Sequence, residues 1–185
     1  PLSFAQQRLW FMEQLQSEST AYNIPYALRL EGRLEREALE RALEEVVRRH
    51  EVLRASFKSQ AGEPVMHIAE PPRLPLSPVD LSEMDAGQRR EAVEFFASEE
   101  SLRPFELSRA PLLRATLLRL GEREHVLLLT VHHIVFDGWS AGILFRELAA
   151  LYDAFGRGAP SPLPELPLRY ADYARWQREW LKGEV

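Results

Sequence analysis

The stretch Val126-Leu127-Leu128-Leu129-Thr130-Val131-His132-His133-Ile134-Val135-Phe136-Asp137-Gly138 runs an almost unbroken apolar segment straight into a pair of histidines. A strand with one wet face would alternate, so a run apolar on both faces reads as a central strand covered on each side. Pro111 to Leu120 supplies its hairpin partner across Gly121-Glu122-Arg123-Glu124. Downstream, Gly138 closes a loop, and Ser140 is placed to cap a helix reaching Phe155 with Ile143, Leu144, Leu148 and Leu151 inward.

Working outward, Ser3-Phe4-Ala5-Gln6 has capping-box spacing and predicts a helix to about Leu15, with Leu9, Met12 and Leu15 on one side. After the loop from Ser17 to Asn23, the alternation of Tyr26, Leu28 and Leu30 with Arg29 and Glu31 predicts a half-buried strand ended by Gly32. Leu34 to Arg49 predicts a helix, with Leu39, Ala42, Leu43, Val46 and Val47 at three- and four-residue spacing. Its early acids and its late Arg48 and Arg49 suit the helix dipole. Leu53 to Phe57 and Pro64 to Ile68 predict a hairpin around Gln60-Ala61-Gly62, followed by a proline-rich surface connector from Pro71 to Pro78. Ser82 is the expected cap of a helix from about Asp85 to Leu102. A second proline-rich segment, Ala159 to Pro167, leads to a last amphipathic helix bearing Tyr170, Tyr173, Trp176 and Trp180. The fold class is α/β, a mixed sheet flanked by helices.

The chain has 185 residues, 45% hydrophobic and 28% charged, which suits one globular domain or one lobe of a larger one. A net charge of −5 argues against nucleic-acid binding, and the lack of cysteine excludes disulfides, thiolate metal sites and a cysteine nucleophile. No apolar run reaches membrane-spanning length and no signal peptide opens the chain, so the expected location is the cytoplasm, with no membrane partner. Pro1 in place of Met suggests a piece of something longer.

Successive strand residues point to opposite faces, so His132 and His133 are not expected to share a role. The exit of a central strand gives a catalytic imidazole a firm mount and an open front. Asp137 either orients His133, as in a hydrolase triad, or pins the loop by pairing with an arginine. Gly138 allows a tight turn and close approach of substrate, and its N–H can face a developing oxyanion. Metal binding by His132, His133 and Asp137 is disfavoured because neighbouring strand histidines diverge, and Ser140 lacks a nucleophile-elbow setting.

Four separated segments carry a family resemblance. Ser3-Phe4-Ala5-Gln6-Gln7-Arg8-Leu9-Trp10-Phe11, Arg49-His50-Glu51-Val52-Leu53-Arg54-Ala55-Ser56-Phe57, His132 to Ser140, and Tyr170-Ala171-Asp172-Tyr173-Ala174-Arg175-Trp176-Gln177 follow one another in the chain. In order and spacing they resemble the four N-terminal motifs of condensation domains from nonribosomal peptide synthetases, with Ala55 where Thr is usual. The resemblance implies a chloramphenicol acetyltransferase-like lobe spanning 1–185, half of a V-shaped two-lobe domain whose C-terminal lobe this chain lacks. It implies amide-bond formation between two thioesters carried on the 4'-phosphopantetheine of donor and acceptor peptidyl carrier proteins, beside an adenylation domain of the same synthetase. No cofactor or metal is expected in the domain itself.

On that resemblance His133 and Gly138 are the catalytic candidates, with His132, Asp137, Arg54 and Arg49 in support. Asp137 is expected to bridge to an arginine, Arg54 before Arg49. Trp10, Trp139, Tyr170, Tyr173 and Trp176 are expected to be core or interlobe aromatics. Ala21-Tyr22-Asn23-Ile24-Pro25 and Gly138-Trp139-Ser140 look like domains joining an L-configured donor to an L-configured acceptor. The isolated lobe is expected to be inactive. The rival readings are a coenzyme-A-dependent HxxxDG acyltransferase and a non-catalytic carrier-protein docking module.

Overall fold

The computed structural model describes residues 1–16, 19–76 and 78–181. Two residues of the predicted 17–23 loop and one of the 71–78 connector lie outside the described residues, as do positions 182–185. In chain order the elements are helix α1 (Phe4–Leu15), strand β1 (Asn23–Glu31), helix α2 (Arg36–Arg49), a 3-10 turn (Glu51–Arg54), β2 (Ala55–Gln60) and β3 (Glu63–Ile68). They continue with β4 (Val79–Asp80), α3 (Ala86–Leu102), β5 (Leu113–Gly121), β6 (Glu124–His132), a second 3-10 turn (His133–Val135), α4 (Gly138–Gly156) and α5 (Tyr170–Trp180).

The main sheet has the order β1-β6-β5-β4, antiparallel except for the parallel β4–β5 pair, while β2 and β3 form a separate hairpin. β6 lies between two partners, as its double-faced apolarity requires. Leu127, Leu129 and Val131 enter a core shared with Leu43, Val46 and Val47 of α2 and Leu144, Leu148 and Leu151 of α4. Val126 and Leu128 point the other way, to Val93 and Phe96 of α3. Full burial of each such leucine contributes roughly 1.5–3 kcal/mol, so β6 is anchored from both faces before it reaches its histidines. The β2–β3 turn is Ala61-Gly62, both at positive φ (52° and 85°), the conformation a two-residue hairpin turn demands.

Several local expectations need correction. In α1 the buried residues are Gln6, Leu9, Trp10 and Glu13, whereas Met12 and Leu15 are exposed. Polar side chains at Gln6 and Glu13 occupy inward positions that hydrophobic periodicity assigns to apolar ones. α2 begins at Arg36, two residues after Leu34. Asp85 caps α3, with Gln88 completing a capping box, while Ser82 N–H donates to Asp80 in the preceding turn. Ile143 is half-buried where Leu144, Leu148 and Leu151 are buried.

Candidate active site

β6 ends at His132, whose ring is fully buried between Tyr22 and Phe105, with ring centroids 6.1 and 5.9 Å away. Its Nδ1 accepts the Ile134 N–H at 3.1 Å, so the ring proton of the neutral imidazole sits on Nε2. Burial, then the charges of His133 and Arg114, lowers its pKa to about 4 and keeps it neutral near pH 7. His132 is a packed, hydrogen-bonding residue that shapes the turn.

His133 opens that turn and is exposed. Its backbone N–H donates to the Tyr22 carbonyl at 2.8 Å, and its ring Nδ1 lies 2.7 Å from the Phe136 carbonyl oxygen. A carbonyl only accepts, so Nδ1 carries the proton and Nε2 presents its lone pair outward. Two adjacent histidines therefore hold opposite tautomers, each matched to one backbone group of the same turn.

Asp137 pairs with neither arginine. It is the N-cap of α4: Oδ1 accepts from the Ser140 N–H at 2.8 Å and the Ser140 hydroxyl at 2.7 Å. These bonds, side-chain first, hold its carboxyl below the usual range, against the smaller opposing effect of burial and with help from His133. The cap prevails over a distant guanidinium because its donors lie three residues away and need no long-range closure. It also displaces Ser140 from the capping position expected for it. Arg54 instead donates to the Ala69 carbonyl, bracing the start of the β2–β3 hairpin.

Arg49 is buried in an ion pair with Glu147 of α4, Nε to Oε2 at 3.2 Å, and donates to the Pro164 carbonyl at 2.9 Å. His50 Nε2 lies 2.8 Å from the same Glu147 oxygen. Burial pushes the Glu147 carboxyl up, but hydrogen bonds from Arg49 and His50 together win and lower its pKa. Glu147 escaped the sequence reading. Its signal was an acid beside Leu144 and Leu148 on the inward stripe of α4, where only a paired carboxylate is tolerated.

Gly138 has ordinary helical backbone, so no tight turn demands glycine there, and a Cβ added to it meets nothing within 4 Å. The local packing does not require this glycine. As the first residue of α4, its N–H belongs to the turn that has no intrahelical acceptor.

The four motif segments meet here. A cleft of about 470 Å³ in front of His133 is lined by Gln6, Arg8, His50, His133, Asp137 and Tyr170 among others. α5 is clasped to α1 by Ser3 Oγ and Tyr170 OH at 2.9 Å, Phe4 N–H to Gln177 at 3.1 Å, and Arg178 to Gln7 at 2.6 Å. Trp10 is buried, but Trp139 is 83% exposed, and Tyr173, Trp176 and Trp180 also face outward, so only Trp10 of these rings is core. Among the described residues no group of three His, Cys, Asp or Glu converges as a metal site, and no helix is long and apolar enough to cross a membrane.

A family model described as condensation domain matches residues 1–184. The chain belongs to the condensation-domain family. It is 50% identical to a subunit of the linear gramicidin synthase of Brevibacillus parabrevis over 185 residues, 100% of this chain and 4% of that protein. It is 47% identical to phosphinothricin tripeptide synthetase PhsC of Streptomyces viridochromogenes over 181 residues, 98% of this chain and 17% of that one. Among solved structures, the X-domain from teicoplanin biosynthesis superposes with a TM-score of 0.89 at 37% identity, covering 99% of this chain and 38% of that one. The first condensation domain of the calcium-dependent antibiotic synthetase, in complex with a substrate analogue, gives 0.83 at 27% identity, with 99% and 44% covered. The fold of this condensation-domain chain is chloramphenicol acetyltransferase-like, and the chain spans less than half of these two solved structures and a small part of each synthetase.

Proposed function

We propose that this chain is the N-terminal lobe of a condensation domain that forms a peptide bond between two carrier-bound thioesters. The supporting observation is the outward Nε2 lone pair of His133 in a cleft lined by all four motif segments. The α-amine of the acceptor aminoacyl group, with a reference pKa of about 7.7–8.0, is partly neutral near pH 7 and attacks the donor thioester carbonyl. The C–N bond forms, the C–S bond breaks, and the donor carrier's phosphopantetheine leaves as a thiolate. The proton shed by nitrogen passes to His133 Nε2 and on to that thiolate. His133 holds the amine in line and accepts its proton late. Gly138 offers its N–H to the developing oxyanion and leaves room for the substrate that a side chain would fill. His132, Asp137, Arg49 and Arg54 shape the loop from behind.

A second lobe would complete the V-shaped domain, in keeping with the chain spanning less than half of its solved relatives. Exposed Phe11, Trp139, Trp176 and Trp180 suit an apolar surface that a further part of the domain covers, and the lobe alone is inactive for want of the opposite wall. The 21–25 segment and Gly138-Trp139-Ser140 favour an L-configured donor and acceptor. Donor and acceptor carriers and the neighbouring adenylation domain are the partners, and the cytoplasm is the location.

In the complete synthetase, His133→Ala is expected to lower single-turnover peptide formation by about a hundredfold or more with unchanged melting. Parent-rate product from that variant would refute the assignment. The docking reading draws support from the complex of the related X-domain with OxyB. Carrier binding without turnover in the complete parent would favour it, and acyl transfer from coenzyme A without any carrier would favour the acyltransferase.

A further inference from the structure

Both backbone groups of Ile134, in the turn that carries His133, are held by buried side chains. The N–H donates to His132 Nδ1 at 3.1 Å, and the carbonyl accepts from Gln6 Nε2 at 3.3 Å. Two turns along the same face of α1 from Gln6, Glu13 is 7% exposed and brings Oε2 to 3.9 Å from His132 Nε2. Glu13 Oε2 and His132 Nε2 are buried atoms with no hydrogen-bond partner among the described residues. The gap is too long for a direct bond and shorter than the roughly 4.5 Å at which a tetrahedral bridging water holds its two partners. Only a small rotation of the glutamate separates the two atoms from a hydrogen bond, and each otherwise stays unsatisfied in a desolvated site.

An ion pair does not fit. A doubly protonated His132 would aim an Nδ1 proton at the Ile134 N–H, which Nδ1 now accepts. The neutral ring has one proton to place, and an acceptor at Nε2 keeps it there. Burial raises the Glu13 pKa, and a carboxyl oxygen accepts the Nε2 proton in either of its protonation states.

We infer that Glu13 is a positioning residue for His133: it accepts from His132 Nε2–H, fixes the tautomer that leaves Nδ1 free for Ile134, and so sets the turn carrying His133. This rests on the proposed role of His133. The test uses the complete condensation domain with loaded carriers and ¹⁵N-labelled histidine. In the parent, His132 Nδ1 is expected to give a pyridine-type and Nε2 a pyrrole-type nitrogen resonance. Glu13→Leu is expected to lower kcat by roughly tenfold or more, with KM changed by less than about twofold and the His132 pattern altered. Glu13→Gln, whose amide oxygen can accept the same proton, retains most of kcat. A protonated Nδ1 in the parent, unchanged kcat in Glu13→Leu, or Glu13→Gln as impaired as Glu13→Leu would each overturn the inference. If Glu13→Leu does not fold, the parent tautomer and the Glu13→Gln rate decide. His133→Ala runs alongside: parent-rate turnover there removes the role of His133, whereas its loss beside an unaffected Glu13→Leu removes only that of Glu13.

Discussion

Asp137→Ala and Asp137→Asn separate a helix cap from an ion pair. The carboxylate accepts two hydrogen bonds from Ser140 at the first turn of α4. Removing a capping oxygen costs about 1 kcal/mol, and losing a negative charge at a helix N-terminus about 0.3–1 kcal/mol more. Because the side chain is exposed, solvent screening keeps the charge contribution near the low end, about 0.5 kcal/mol. Alanine therefore loses roughly 1.5–2 kcal/mol, whereas asparagine keeps the accepting oxygen and loses only about 0.5 kcal/mol. For a chain of this size, where each kcal/mol moves the melting point by roughly 2–4 °C, that is about 3–8 °C for alanine and 1–2 °C for asparagine. Thermal melts followed by circular dichroism at pH 7 read the difference. Because Ser140 depresses the folded-state pKa of Asp137, the charge's contribution is present above the ordinary carboxylate pKa. It fades as pH falls through the depressed one, so the gap between parent and asparagine variant should close in acid. Asparagine as costly as alanine would refute the cap. So would a coupling above about 1 kcal/mol between Asp137→Ala and Arg54→Ala in a double-mutant cycle.

Gly138→Ala is expected to melt no lower than the parent, since its Cβ points into open space, yet to impair peptide formation in the complete synthetase; an unimpaired variant removes the substrate-access argument. Glu147→Leu leaves the Arg49 guanidinium, whose side chain is 2% exposed, without its carboxylate and should cost about 3–5 kcal/mol in urea unfolding. Adding Arg49→Met should recover much of that, and no recovery would mean the pair is not the cause. His132 has its folded pKa depressed from 6.5 to about 4, so the unfolded chain takes up a proton first and stability falls with pH across that window. The loss approaches about 3 kcal/mol, and His132→Asn should flatten that slope between pH 7 and pH 4.5. Glu13, with its raised pKa, contributes with the opposite sign and opposes the histidine's slope.

The sequence was most legible where one physical signal dominated. α2 follows from the stripe Leu39, Ala42, Leu43, Val46 and Val47, all buried as spaced. β6 follows from apolarity on both faces, and the first helix from the reciprocal Ser3–Gln6 bonds. It was least legible where polar groups chose among partners. Asp137 had two arginines and a helix end within conceivable reach, and the choice turned on donors three residues away. Gln6, Glu13 and Glu147 lie on inward faces, where hydrophobic spacing does not see them, yet they hold Ile134, approach His132 and pair with Arg49. Ser82 and Asp85 each have a box partner three residues on, Asp85 and Gln88, and the structure forms the Asp85–Gln88 box. Met12 and Leu15 show the converse, apolar residues on the outward side of a helix whose buried face is half polar.

The clasp between α1 and α5 also has a consequence in time. Ser3 meets Tyr170 across 167 residues and Leu2 meets Arg178 across 176, while β1 finds β6 through pairs such as Asn23 with His132. At a synthesis rate of about 5–20 residues per second, the first helix waits roughly 9–35 s on the ribosome for its closing partner. During that wait Phe4 has no Arg178 over its ring, and the β2–β3 hairpin and α2 are free to form locally. Folding of this chain is thus a late closure of distant ends. Substitutions at Gln7, Tyr170 or Gln177 should be felt first as slower maturation and greater chaperone demand, before any loss is visible in the finished protein.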